Sequence, residues 1–272
     1  MTTWTFAKMP NRWVSGTVLK ELGYENSAGE FDLRRLNASL AALKTYIAVC
    51  TRADYDTGVA KTTYEELMLL TAMSRAVISR SLRLLEAHEL IRIDTPSRRS
   101  GSIIYVCRWI EDEGYGKIPK RWLYEEREEE PEEHPDGELV RLSGFKFGHK
   151  LHLIALKIYL VLIAMRNKDT KGAPNRGLTV ISYNKISALA GVPRCWVSSA
   201  ITLLLEMNLV TFRAGKVRTG QEWDFAKTNR YLLHGLGLHW TALDDDADIP
   251  GVPDQPPKSA GGIKQKNPVK PI

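Results

Sequence analysis

Arg80 and Arg83 stand close enough in the chain for one helical face to carry both. Ala76 and Ser79 fall on that face too, when each residue advances about 100° from Ile78. A guanidinium forks onto two phosphate oxygens, or onto O6 and N7 of a guanine, and small residues let a helix approach such a surface closely. Ser74 and Arg75 extend the set at the start of the same stretch. The chemistry offered is recognition of a polyanion with readable edges, not bond making. A solvated basic face has the same composition, so the surrounding elements must decide between the two.

Other chemistries are poorly served. His149-Lys150-Leu151-His152 comes nearest to a metal-ligand pair, but two histidines beside an apolar helix are more often structural. Cys50, Cys107 and Cys195 are odd in number and far apart, which argues against a disulfide framework and a thiolate zinc site. No phosphate-cradling glycine loop and no nucleophile-base pair stands out. The expectation is a protein that is not an enzyme, with no catalytic residue, no metal and no cofactor.

The arginine-bearing face needs a scaffold, and the sequence supplies a helix pair followed by a strand. Thr63 can cap the first helix, with Glu66 completing a capping box and Leu67 and Leu70 forming a buried stripe. After a turn at Thr71 to Met73, Ser74 can cap the second helix, where Ile78, Leu82 and Leu85 recur at helical spacing. Leu90 to Ile93 begins a strand. Thr95 to Ser102 reads as a hairpin tip whose Arg98 and Arg99 reach an adjacent phosphate or minor groove. A helix from Asn37 through Leu40, Leu43, Tyr46 and Ile47 closes the core of the motif.

The pattern then repeats at an offset of 119 residues: Tyr64 matches Tyr183, Arg75 Arg194, Ile78 Val197, Ser79 Ser198, Leu82 Ile201, Leu85 Leu204 and Leu90 Leu209. Carried onward, the same offset pairs Gly101 with Gly220, Ile104 with Trp223 and Val106 with Phe225. Upstream, Ala42 to Tyr46 echoes Ala155 to Tyr159 at an offset of 113. Two copies of one domain fit this best. The second copy turns Cys195, Ser198, Ser199 and Thr202 outward, with Arg194 at its start and Trp196 to one side, and is much less basic. Its hairpin keeps Lys216 and Arg218. It either touches DNA mainly through that hairpin or serves as a subunit contact anchored by Trp196.

A chain of 272 residues suits about two domains. The longest apolar run, Leu151 to Met165, is interrupted by His152 and Lys157, short of the roughly 18 residues a span requires. With no secretory signal near the start, the expected location is the cytoplasm, away from membranes. Net charge is +6, yet Glu125 to Glu138 holds nine acidic residues and one arginine, a balance of −8 that leaves +14 elsewhere. That excess favours a polyanionic partner, and the acidic block is most simply a self-repelling linker, with mimicry of DNA as its alternative. Five regions result: an N-terminal arm at 1–36, a first domain with a C-terminal extension at 37–124, the acidic linker at 125–138, a second domain at 139–240, and a disordered basic tail rich in Pro and Gly at 241–272. The aromatic arm either packs on the first domain or binds DNA or a second subunit. The segment from Ile110 to Tyr124 is expected to pack on the first domain.

Met73-Ser74-Arg75-Ala76-Val77-Ile78-Ser79-Arg80-Ser81-Leu82, with Leu85, Leu90 and Ile91 downstream, resembles the winged helices of bacterial and phage DNA-binding proteins. That pattern is shared by transcriptional regulators and phage replication proteins. Two in tandem look like plasmid replication initiators, which bind repeated origin sites through paired winged helices. Phe6 to Asn11 is similar to the lead-in of phage origin-binding proteins. The resemblance covers about 37–108 and 145–233 and is one of motifs. It implies an α+β, mainly helical fold of two winged helix-turn-helix domains in tandem. It also implies sequence-specific binding of double-stranded DNA at a plasmid or phage origin, with local melting, recruitment of host replication machinery and a possible homodimer. The DNA-binding candidates are Ser74, Arg75, Ala76, Ser79, Arg80, Arg83, Arg98 and Arg99 in the first copy. In the second they are Arg194, Ser198, Ser199, Thr202, Lys216 and Arg218. Regulation of transcription in a mobile element is the neighbouring alternative. A tandem winged-helix scaffold for protein interactions is the third.

Overall fold

In the computed structural model the described residues are 6–94, 101–110, 114–124, 137–167, 176–213 and 229–236. All of them lie in one compact unit, Met1–His239. The acidic block at 125–136, the hairpin residues Arg98, Arg99, Lys216 and Arg218, and the tail from 241 fall outside them.

The described elements run twice through one order. The first pass is β1 (Ala7–Pro10), α1 (Arg12–Ser15), α2 (Val18–Glu21), α3 (Leu33–Arg52), β2 (Val59–Thr62), α4 (Tyr64–Thr71), α5 (Arg75–Ala87), β3 (Ile91–Asp94) and β4 (Ser102–Val106). The second is β5 (Tyr115–Ile118), α6 (Lys120–Leu123), α7 (Val140–Ser143), α8 (Lys150–Ala164), β6 (Thr179–Ile181), α9 (Tyr183–Ala190), α10 (Arg194–Glu206), β7 (Val210–Arg213) and β8 (Asn229–Leu233). The architecture is α+β, about half helical, with small antiparallel sheets. No single described helix is long and apolar enough to cross a membrane.

Two long helices make the centre. α3 starts at Leu33, earlier than Asn37, because the Asp32 carboxylate caps it, accepting from the N–H groups of Arg34 at 2.8 Å and Arg35 at 3.1 Å. From Ser39 to Thr51 every residue of α3 is buried, and α8 is buried from Leu153 to Ala164. A helix enclosed on all sides needs neighbours on all sides. α3 packs on α5 and α4, α8 packs on α10 and α9, and the two pack on each other. The copies therefore share one core and are not merely tethered through the acidic block.

Each copy closes with a three-stranded sheet of the same order, β2-β4-β3 and β6-β8-β7. Ile91 pairs with Val106 in the first sheet and Val210 with Leu233 in the second, so β8 takes the place of β4. The match of Ile104 and Val106 to Trp223 and Phe225 is thereby corrected: the returning strand is Asn229–Leu233, at an offset of 127. The cause is the length of chain between the strands, fifteen residues from β7 to β8 against seven from β3 to β4. The strands β2 and β6, rich in β-branched residues, complete the sheets and were not expected from the sequence.

The repeat also begins earlier than Asn37. Lys8-Met9-Pro10-Asn11-Arg12-Trp13-Val14 recurs as Lys117-Ile118-Pro119-Lys120-Arg121-Trp122-Leu123, at an offset of 109. β1 pairs antiparallel with β5, and β5 lies along α8. The segment Tyr115 to Leu123 thus repeats the lead-in in sequence and packs on both copies, β5 against β1 and Tyr55 as well as α8, and α6 against α7. Ile118 and Leu123 are buried there. The N-terminal arm is integral as well, with Met9, Val14, Leu19 and Leu22 buried and α1 packed on α8.

Candidate nucleic-acid interface

The first helix pair is fastened at its entry by one carboxylate. Thr63 Oγ1 accepts from the Glu66 N–H at 3.1 Å, while Glu66 accepts from the Thr63 N–H at 2.9 Å and from the Thr62 hydroxyl at 2.8 Å. Arg52, at the end of α3, approaches the same carboxylate at 3.6 Å. Burial pushes the Glu66 carboxyl up, but those donors outweigh it and hold the group below its usual range. In the second pair Ser182 Oγ accepts from the Lys185 N–H at 3.3 Å, without the reciprocal carboxylate. The capping box expected at Thr63 is present.

Between the paired helices the chain turns through left-handed backbone, at Ala72 (φ 52°) and Gly191 (φ 61°). Ser74 occupies the cap position of α5, yet its side chain makes no capping hydrogen bond, so its hydroxyl stays exposed. Ile78, Leu82 and Leu85 bury the inner face of α5. Outside lie Arg75, Ala76, Arg80 and Arg83, exposed, with Ser79 half-buried beside them. Arg80 Nε donates to the Ala76 carbonyl at 3.2 Å, which lays the side chain along the helix. Neither Arg80 nor Arg83 has an ion-pair partner among the described residues.

Arg75 behaves differently. Its guanidinium lies 4.8 Å from the Tyr64 ring centroid and 3.1 Å from the Glu65 carboxylate. Arg194 repeats the arrangement, 4.4 Å from the Tyr183 ring and donating to Asn184 Oδ1 at 3.1 Å. Both arginines tie the start of one helix to the start of the other. Such an exposed pair contributes little to stability, but it fixes where the guanidinium sits. On α10, Val197, Ala200, Ile201 and Leu204 face inward and Cys195, Ser198, Ser199 and Thr202 face out. Thr202 donates back to the Ser198 carbonyl at 3.2 Å. Trp196 is half-buried against the core, with Lys150 Nζ 5.4 Å from its ring.

A second basic feature escaped the sequence reading. On the β1–β5 ribbon, Lys8 Nζ sits 3.7 Å from the Tyr55 ring and Lys117 Nζ 4.5 Å from the Phe6 ring. Phe6 stacks on Tyr115 at 6.3 Å, and the hydroxyls of Tyr55 and Tyr115 meet at 3.2 Å. The recurring Lys-Met-Pro and Lys-Ile-Pro was the available signal.

The remaining candidates for chemistry stay apart. The His149 and His152 rings are 5.3 Å from centroid to centroid, and His152 Nδ1 accepts from the Lys146 N–H at 3.3 Å. Burial, His149 and Lys146 all lower the His152 pKa. No group of three or more His, Cys, Asp or Glu able to hold a metal occurs among the described residues. The three cysteines are free, and burial pushes the Cys50 thiol up to about 12. No family model, no curated protein and no solved structure matches the chain.

Proposed function

We propose that this chain binds double-stranded DNA in a sequence-specific way through two winged helix-turn-helix units, and that it acts in the cytoplasm as a replication initiator at a plasmid or phage origin. One observation carries the reading: α5 is seated on the core by Ile78, Leu82 and Leu85 while Arg80 and Arg83 stand exposed on its other side without acidic partners among the described residues. A helix so placed suits the major groove, with small residues at the surface and guanidinium groups for guanine edges or phosphates. Arg98, Arg99, Lys216 and Arg218, in the segments that follow β3 and β7 in the sequence, would serve the flanking phosphates. Host replication machinery is the partner that follows from an initiator's role. Regulation of transcription in a mobile element draws on the same α5 face, and footprints on an origin and on a promoter distinguish the two.

A protein-interaction scaffold draws on a different observation, the outward Cys195, Ser198, Ser199 and Thr202 of α10 with Leu205 exposed on the same helix. The deciding experiment is the Arg80→Ala/Arg83→Ala double variant. Each good base contact contributes about 1–3 kcal/mol, so specific affinity should drop by roughly 10-fold or more while the fold persists. A folded double variant with unchanged affinity and footprint removes α5 from the interface.

A further inference from the structure

The pairing of β1 with β5 has a property that a simple tandem array lacks. The lead-in residues correspond at an offset of 109, so Lys117 is the counterpart of Lys8, Gly116 of Ala7 and Ile118 of Met9. In the ribbon Lys8 lies opposite Lys117, Ala7 opposite Ile118 and Met9 opposite Gly116. In these three pairs each residue therefore faces the counterpart of the residue that its own counterpart faces. That is the rule of an isologous contact, in which a two-fold axis passes through the interface, here between Lys8 and Lys117. Packing further in follows the rule at α2, which lies on α9 as α7 lies on α4, and at α3 and α8, which pack on each other; α1 departs from it, packing on α8 and α9 where its counterpart α6 packs on α7. Copies related by translation alone would contact head to tail, through unlike surfaces. This one chain is arranged as a two-fold dimer is.

From this, and resting on the duplex-binding reading above, we propose that a single chain reads an imperfect inverted repeat: two half-sites in opposite orientation, alike in part and unequal in part. Duplex DNA has local two-fold axes across it, and a two-fold protein places its paired recognition helices on half-sites of opposite sense. The halves are unequal because the two outward faces are unequal. At the 119-residue offset, Ser79 keeps its identity as Ser198, but Ala76, Arg80 and Arg83 become Cys195, Ser199 and Thr202. The α5 half-site calls for guanines or close phosphates, and the α10 half-site for groups that accept or donate to hydroxyls.

The test is a selection of binding sites from a randomised duplex library with the full-length chain at fixed salt. It is followed by titration of the enriched duplex and of the same duplex with one half turned around. The expected motif has two segments related by inversion, with centres about 10–10.5 base pairs or a multiple of that apart. Turning one half around should lower affinity by at least about 10-fold, as losing good base contacts does. The variant Cys195→Ala/Ser199→Arg/Thr202→Arg gives α10 the outward face of α5 at three exposed positions. Its selected motif should become a more perfect inverted repeat of the first half. A direct repeat, a single unrepeated motif, or indifference to turning one half overturns the inference while leaving duplex binding intact. Failure to enrich any duplex defeats the binding reading itself, and the inference with it. If the triple variant does not fold, the half-turned duplex decides with the natural chain alone.

Discussion

The two copies share element order, sheet order and central packing, yet differ where each meets solvent. In the first, α5 shows Arg80 and Arg83 exposed beyond Arg75, its entry is closed by a reciprocal capping box, and its turn uses Ala72 in left-handed backbone. In the second, α10 shows hydroxyls and a thiol, its entry has a single cap, and its turn uses Gly191. The counterparts Trp13 and Trp122 also take different seats. Trp13 turns inward, 5.0 Å from the Tyr46 ring, whereas Trp122 Nε1 donates to the Asn208 carbonyl at 2.8 Å on its own copy. The difference teaches that the scaffold is held in common because both copies contribute to one core, while the surfaces are free to diverge.

The largest effect should come from cutting the chain between the copies. Fragments 1–110 and 111–272 each expose one flank of a helix that is buried in the intact protein, α3 or α8. Each fully buried Leu, Ile or Val contributes about 1.5–3 kcal/mol, so uncovering a few of them removes much of the roughly 5–15 kcal/mol by which ordinary domains are stable. Neither fragment alone should unfold cooperatively, and the two together should associate, as thermal unfolding and size-exclusion chromatography would reveal. Two independent transitions in the intact chain would show instead that the copies are autonomous.

Next in size is the exchange of turn residues. A Cβ at Gly191 would fall 2.8 Å from Lys20 Cβ and 2.9 Å from Lys20 Cα, in backbone that L side chains avoid. Left-handed strain of about 1–2 kcal/mol and overpacking of about 1–3 kcal/mol add in Gly191→Ala. Ala72 is exposed and already bears the strain, so Ala72→Gly should be neutral or stabilising by up to about 1 kcal/mol. Equal effects in a denaturant titration would mean that α2 does not press on the second turn as it does here.

Lys44 and Lys157 are counterparts at the 113-residue offset, and both are buried. Burial lowers the Lys157 ammonium from 10.5 to about 7 and the Lys44 ammonium from 10.5 to about 8, the latter partly offset by Glu138. Lys157 has one long hydrogen bond, to the Lys20 carbonyl at 3.5 Å. Above pH 7 the folded chain has released the Lys157 proton while the unfolded chain still holds it up to its own pKa. Stability therefore rises with pH across that window, by at most about 1.4 kcal/mol per pH unit for each lysine. Lys157→Met should flatten the rise from about pH 7, and Lys44→Met only from about pH 8. Melting curves between pH 6.5 and 9.5 check both, and an unchanged slope in Lys157→Met would contradict the assignment.

The helix pairs were legible because amphipathic helices carry their own period: Leu67, Leu70, Ile78, Leu82 and Leu85 mark one side without reference to anything distant. The central helices were harder to bound, since burial on every face erases that period, and Asp32 as the cap of α3 went unread. The complete repeat was hidden by loops of unequal length, which move the offset from 109 to 113 to 119 to 127 along the chain. A single offset followed past Ile93 therefore paired the wrong residues. Of the candidate interface, the outward face of α5 was readable from spacing alone. The engagement of Arg75 and Arg194 with Tyr64 and Tyr183 was not, because it depends on the angle between two helices.

The β1–β5 ribbon sets a timetable for synthesis. Its two strands are separated by about a hundred residues, which a ribosome making about 5–20 residues per second adds in roughly 5–20 seconds. Through that interval β1 has no partner, and Met9 and Val14 wait without the surroundings that finally bury them. Two separate chains facing the same delay would then have to find each other, at a rate set by their abundance. Here the partner strand arrives on the same chain, so their encounter is intramolecular. Assembly is thus first order, and a cell holding only a few molecules of this protein obtains each one as completely paired as a cell holding thousands.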